Sequence, residues 1–262
     1  MKETVYLSSW RIKQCDELCQ PGGEGTPEAV REYEMPWIEI GAPREIQEAL
    51  MDAGLLSDSV LEDGEAEYCK WVAEKDWAYQ CTFSNPGWYE SVRLFFDGLD
   101  TVSDIYLNGR RIAGSKTMYL PLTIDVTGAL QDENELLVYF HAFGKMTRIY
   151  GETMPEEWKG IVNPSAMLRK SGGDFGSYLG AVPCFTPIGI FGDVRLETPD
   201  AAEITLLDID TAFRFHCTKA DIQLKVHGSC SSENVEVELE FRDEVGLTVY
   251  HERMPAACQT DG

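Results

Sequence analysis

Residues 92–112 read VRLFFDGLDTVSDIYLNGRRI, and the fold turns on how this stretch is read. Val92, Leu94 and Phe96 alternate with Ser91, Arg93 and Phe95; further on, Val102, Asp104 and Tyr106 alternate with Ser103, Ile105 and Leu107. A period of two gives a strand two distinguishable faces. Asp97-Gly98-Leu99-Asp100 separates the two runs and Asn108-Gly109 ends the second. Asn-Gly is the dipeptide best able to hold positive φ at both centres of a type I′ turn. The stretch therefore predicts two strands paired with each other and a third after the turn, a tight antiparallel meander.

Working outward, further strands are predicted at regular intervals over 4–12, 78–83, 111–113, 120–126, 136–141 and 194–197. That spacing belongs to an all-β sandwich or jelly roll, and no long helix interrupts it as a doubly wound α/β fold would require. One helix is predicted over 43–53, with Pro43 at its first position, Ile46, Ala49, Leu50 and Ala53 on one face, and Gly54 as its left-handed stop. Leu55 and Leu56 then fold back on that face. A shorter helical turn is expected at 27–33. Residues 141–192 carry four prolines and many glycines, with Trp158, Phe175, Tyr178 and Phe185 interspersed and little periodicity. They read as one long loop, the kind of segment that carries function.

Thr198-Pro199-Asp200 breaks the pattern, which restarts over 204–209, 222–226, 235–241 and 247–250. Two domains are expected: 1–198, a jelly-roll sandwich, and 199–262, the first part of an immunoglobulin-like sandwich. A complete one needs about 100 residues, so the second domain reads as truncated.

Of the 262 residues, 44% are hydrophobic and 26% charged, enough for a real core and too ordered a composition for a disordered chain. Acidic residues outnumber basic ones 45 to 22, a formal charge of −23. Such a surface repels phosphate backbones, which excludes nucleic acid, and it excludes anionic membranes by the same sign. The first residues lack an apolar run of signal-peptide length and no window approaches a transmembrane span, so a cytoplasmic location is expected. Eight cysteines are present, Cys15 and Cys19 at C-x3-C spacing and the rest scattered; they read as reduced structural thiols. The four histidines, His141, His216, His227 and His251, show no metal-ligand spacing, and GGDFG lacks the strand-turn-helix context of a phosphate loop. No metal and no cofactor are expected.

Four segments together resemble the N-terminal part of glycoside hydrolase family 2, the β-mannosidase branch in particular. They are the predicted helix with its AGLLSD end, KWVAEKDWAYQCTF, FDGLDTVSDIYLNG, and LRK followed later by GIFGDVRLE. The resemblance covers residues 37–198 and is carried most specifically by FDGLDTVSDIYLNG. It implies a galactose-binding-like jelly roll first, an immunoglobulin-like sandwich second, and a catalytic TIM barrel third that is absent from this chain. A retaining glycosidase needs two carboxylates about 5–5.5 Å apart. Glu156 and Glu157 are neighbours in the long loop and read as a solvated acidic patch, so no catalytic residue is expected here.

Where the family carries FGWDWGP in its long loop, this chain has Phe175-Gly176-Ser177-Tyr178-Leu179-Gly180. Serine in place of an indole removes a stacking platform, and a phenol in place of a carboxylate removes charge-assisted bonds to sugar hydroxyls. Tyr178 either stacks on a sugar or packs as a loop tyrosine. Arg169 and Lys170 match the family's RK and either hold the loop by pairing with Asp174 or form a surface charge pair. With Trp158, these residues make up the substrate-binding set that the resemblance implies: Tyr178, Ser177, Asp174, Arg169, Lys170 and Trp158. Trp77, Tyr79, Trp88 and Tyr89 form either a sugar platform or core.

The function implied is that of a non-catalytic N-terminal region which shapes the pocket of an enzyme hydrolysing terminal β-glycosides. Its partners would be a β-linked carbohydrate, met through the whole enzyme, and the missing barrel. The alternatives are a carbohydrate-binding module acting alone, and a structural domain that pairs an exposed strand edge with another chain, a homo-oligomer included.

Overall fold

A computed structural model of the chain describes residues 3–15, 25–57, 66–88, 91–170, 186–200, 202–216, 218–230 and 235–256. The chain divides into two compact units, Thr4–Glu197 and a second one of Met1–Glu3 with Thr198–Gly262.

In the longer unit the strands are β1 (Thr4–Tyr6), β2 (Trp10–Cys15), β3 (Ile38–Gly41), β4 (Asp76–Ser84), β5 (Arg93–Phe96) and β6 (Leu99–Asp100). They continue as β7 (Val102–Leu107), β8 (Arg110–Lys116), β9 (Leu122–Asp125), β10 (Glu133–Phe140), β11 (Gly189–Ile190) and β12 (Val194–Glu197). Among the described residues these form a six-stranded sheet in the order β3-β2-β4-β10-β7-β8, a four-stranded sheet β1-β12-β5-β9, and the short ribbon β11-β6. Every pairing in them is antiparallel.

The period of two decides what each face meets. From β10, Leu136, Val138 and Phe140 turn into a buried cluster with Leu94 and Phe96 of β5 and Leu196 of β12, while Leu137 and Tyr139 turn outward. The two sheets thus close on one core as a two-layer sandwich. The outward residues of the six-stranded sheet are covered in turn by α1 (Pro27–Glu32), whose Val30 is buried among Cys15, Ala78, Tyr106, Leu137 and Tyr139. Thr26 caps that helix by accepting from the Ala29 N–H at 3.3 Å, with Pro27 at its first turn.

The expected meander is wrong in one respect. β5 and β7 do not pair: β5 lies between β12 and β9, and β7 between β10 and β8. The chain crosses from one sheet to the other through β6, so the inward residues Leu94 and Phe96 face Ile105 and Leu107 across the core. The turn reading holds, with Asn108 at φ 52° and Gly109 at φ 80° joining β7 to β8. The single strand expected over 4–12 is likewise two, β1 and β2, one in each sheet.

The helix after Pro43 is α2 (Ile46–Asp52), with Glu45 at its N-cap in extended conformation and Ile46, Ala49 and Leu50 buried. It starts later than expected because Glu45 is bridged to Gly189 of the β11-β6 ribbon. Gly54 takes φ 69°, and the N–H groups of Leu55 and Leu56 both donate to Leu50 O. Only Leu56 folds back into the core; Leu55 is exposed. Residues 141–170 are also more regular than expected, with α3 (Phe143–Glu152) and 3-10 turns at Glu156–Trp158 and Pro164–Met167. Trp77 and Tyr79 are core residues, 1% and 0% exposed. Among the described residues no helix is long and apolar enough to cross a membrane.

In the second unit, β13 (Ala202–Arg214) pairs with β14 (Lys219–Cys230), and β15 (Glu236–Arg242) with β16 (Thr248–Pro255). Each pair is a two-stranded ribbon. Leu207, Ile209 and Phe213 stand opposite Val226, Leu224 and Ala220 on one face of the first ribbon. That face is open to solvent, with Phe213 67% exposed.

Candidate functional site

The β11-β6 ribbon places a buried aspartate at the end of the sandwich where it meets the start of α2. Asp100 follows Leu99 at the end of β6 and is fully buried, so it requires a partner. Lys170 supplies it from 70 positions downstream: its Nζ donates to Asp100 Oδ1 at 2.8 Å, to Oδ2 at 2.6 Å and to Pro187 O at 2.7 Å. The Thr101 hydroxyl also donates to Asp100. Burial pushes the Asp100 carboxyl above its ordinary pKa, and the Lys170 ammonium pulls against that rise. Three acceptors engage all three N–H donors of the ammonium. One cation therefore fastens Leu168–Lys170 and Pro187 to the ribbon.

The same end of the sandwich is tied by neutral groups from α2 and β4. Gln47 donates through Nε2 to Thr186 O at 2.7 Å and accepts at Oε1 from the Ile188 N–H at 3.3 Å. Ile46 N donates to Ile188 O at 2.9 Å. The Tyr79 hydroxyl donates to Arg44 O at 2.6 Å and accepts from Ile190 N–H at 3.4 Å. Gly189 is required beside it: at φ +132°, an added Cβ would stand 2.1 Å from that hydroxyl. Burial raises the Tyr79 pKa well above its usual value, so the phenol stays a donor.

Beside this framework opens a cavity of about 360 Å³, lined by Pro43, Arg44, Glu45, Glu48, Met118, Phe191 and Gly192. Glu45 and Glu48 lie three positions apart at the start of α2, which puts them on one side of it. Burial, and then the Asp100 carboxylate nearby, raises the Glu45 pKa. Arg44 is bonded to Asp52, and its Nε is buried with no acceptor among the described residues. Phe191 is fixed by its N–H donating to Gly98 O at 3.1 Å and by its ring settling where Gly98 has no side chain. A second, much smaller cavity of about 10 Å³ is lined by Lys170 with His141, Phe143 and Met146.

Of the residues singled out from the sequence, Tyr178, Ser177 and Asp174 lie outside the described residues. Lys170 is neither half of a surface pair nor exposed; it is 6% exposed and belongs to Asp100. Arg169 is exposed, and its backbone bridges Thr117 and accepts from Met118 N–H at 2.9 Å. Trp158 sits on the Glu156–Trp158 turn, 45% exposed, and lines neither cavity. Asp100, Gln47, Glu45, Glu48 and Phe191 were missed. Asp100 could have been found only through its place in FDGLDTVSDIYLNG, the segment that resembles the family most specifically.

A two-layer antiparallel sandwich with a buried crossover ribbon and helices at its end defines the class: a galactose-binding-like jelly roll. Residues 10–192 match the family described as "Glycosyl hydrolase 2 galactose-binding domain-like", and the chain belongs to it. Among curated proteins it is similar to a "Beta-mannosidase B" of Aspergillus terreus, 30% identical over 208 residues, covering 76% of this chain and 24% of that protein. It is also similar to the "Beta-mannosidase" of Mus musculus, 28% identical over 178 residues, covering 63% of this chain and 20% of that protein. The chain thus spans about a quarter or less of the length of these relatives. The fold is shared with the crystal structure of a β-D-mannosidase from Dictyoglomus thermophilum. Its TM-score is 0.72 at 24% identity, covering 97% of this chain and 29% of that one. A β-glucuronidase of Parabacteroides merdae gives a TM-score of 0.55 at 13% identity, covering 97% of this chain and 30% of that one.

Proposed function

We propose that this chain is the non-catalytic N-terminal region of a family 2 glycoside hydrolase of β-mannosidase type, whose whole protein hydrolyses terminal β-glycosides on a catalytic barrel. The observation that carries the reading is the family match over residues 10–192, with β-mannosidase relatives of which the chain spans a quarter or less. In this reading the sandwich shapes and supports a sugar pocket. Asp100, Lys170, Gln47 and Tyr79 give the end of the jelly roll a rigid polar frame. Lys170 acts there as a support and not as a sugar contact, because its donors are already engaged.

The proposed domains are a jelly roll over 1–198 and the opening strands of an immunoglobulin-like sandwich over 199–262. The open apolar face of β13 and β14 supports the second part, since a sandwich strand of that pattern belongs against a facing sheet. Sequencing the reading frame past Gly262 tests the proposal. A succession of strand-helix units with two glutamates at strand ends is the expected result, and a frame without them would sink it.

A carbohydrate-binding module acting alone is the second reading, favoured by the cavity beside α2, where an aromatic ring and two carboxylates come together.

A further inference from the structure

We infer that the cavity at the start of α2 receives an arginine side chain, carried on a peptide segment that the rest of the same protein supplies. The inference rests on the reading of this chain as one part of a longer enzyme, since it spans a quarter or less of its β-mannosidase relatives. About 360 Å³ falls at the small end of the range for ligand sites, roughly 300–1,000 Å³, and leaves room for one long side chain with its peptide group. Glu45 and Glu48 line the cavity, and neither pairs with a cation among the described residues. The two nearby cations are committed elsewhere, Arg44 to Asp52 and Lys170 to Asp100. Burial, and then the field of Asp100, makes the Glu45 charge costly, and Lys170 offsets only part of that cost. An incoming cation offsets more of it.

The other lining residues favour a guanidinium on a peptide over other cations. Phe191, Met118 and Pro43 form an apolar panel, and the Phe191 ring is held against Gly98 before any occupant arrives. A planar guanidinium stacks on an aromatic ring and donates to carboxylates as a fork, whereas an ammonium is a compact point charge. Arg44 lines the same cavity, and its buried Nε–H has no acceptor among the described residues. A buried donor left without an acceptor is costly, and a main-chain carbonyl would supply one. A cation carried on a peptide brings such a carbonyl with it; a metal ion or a simple amine does not.

Ligand-observed NMR titration of the folded chain at low salt tests this, with N-acetyl-L-arginine methylamide as probe and its citrulline analogue as the neutral isostere. The chain should bind the arginine probe with a millimolar dissociation constant and the citrulline one at least about tenfold more weakly. Glu48→Gln, at an exposed side chain, should lower that preference about threefold. Phe191→Leu keeps an apolar side chain and should weaken the arginine probe about threefold. In the product of the whole reading frame the cavity should be filled, and the probe should not bind. Equal binding of the two probes, no binding of either, an unchanged preference in Glu48→Gln or unchanged binding in Phe191→Leu would each overturn the inference. Binding of the probe to the whole product would overturn the assignment of the segment to the same protein. If Phe191→Leu fails to fold, the Glu48→Gln comparison decides alone. A reading frame without a barrel would defeat the functional proposal and leave the titration of the chain standing.

Discussion

The two units of the chain carry the same alternation of apolar and polar residues and put it to different ends. In Thr4–Glu197 the inward residues of one sheet meet those of another, and Leu94 and Phe96 are 1% and 0% exposed. In the second unit, Ile209 and Phe213 stand on an equally regular strand and are 57% and 67% exposed. Alternation specifies two faces of a strand; only a second layer makes one of them core. The difference also reaches the charges. Asp100 and Lys170 are buried together, whereas Glu240 with Arg242 and Glu238 with His251 pair in the open.

The two units should differ most at matched phenylalanines. Phe96→Ala should cost about 3–5 kcal/mol in urea unfolding through the cavity it leaves, while Phe213→Ala should change stability by about 0.5 kcal/mol or less. Similar costs at both positions would mean that the second ribbon is covered in solution. Next come the ion pairs. Lys170→Met strands a buried carboxylate and should lower stability by about 3–5 kcal/mol, whereas Arg242→Met, at an exposed pair, should leave the melting temperature unchanged.

The two units should differ least in their response to pH. Asp104 holds His141 Nε2 at 2.8 Å and Arg111, and Glu238 holds His251 Nε2 at 2.7 Å and Arg253. In both, the hydrogen bond from the histidine leads in holding the carboxyl below its usual pKa. A lowered carboxyl pKa contributes stability that is present above the unfolded value and is lost as pH falls through the folded one. Asp104 is 19% exposed and Glu238 52%. Asp104→Asn should therefore lose about 1–2 kcal/mol at neutral pH, with the gap to wild type closing in acid. Glu238→Gln should show a smaller acid dependence that salt removes.

Much of the fold was legible because it is local. Strand faces, the Asn108-Gly109 turn, the buried face of α2 and the family signature FDGLDTVSDIYLNG all follow from neighbouring residues. Strand partnership does not: the run 92–96 and the run 102–107 predict their own faces correctly but not that they belong to opposite sheets. Helix α3 was hidden by its two glycines, although Phe143, Met146 and Tyr150 recur at helical spacing. The candidate site was the least legible part. Its central pair joins residues 70 positions apart, and Glu45, Glu48 and Phe191 meet only because the β11-β6 ribbon brings residues 186–192 against the start of α2.

As proposed above, this sandwich is the non-catalytic N-terminal part of a β-mannosidase-type enzyme. The most direct test is to assay hydrolysis of p-nitrophenyl β-D-mannopyranoside by the folded chain alone and by the product of its whole reading frame. The chain should give no hydrolysis above background and the whole product should turn over. Turnover by the chain alone, or an inert whole product with this unit folded, would contradict it.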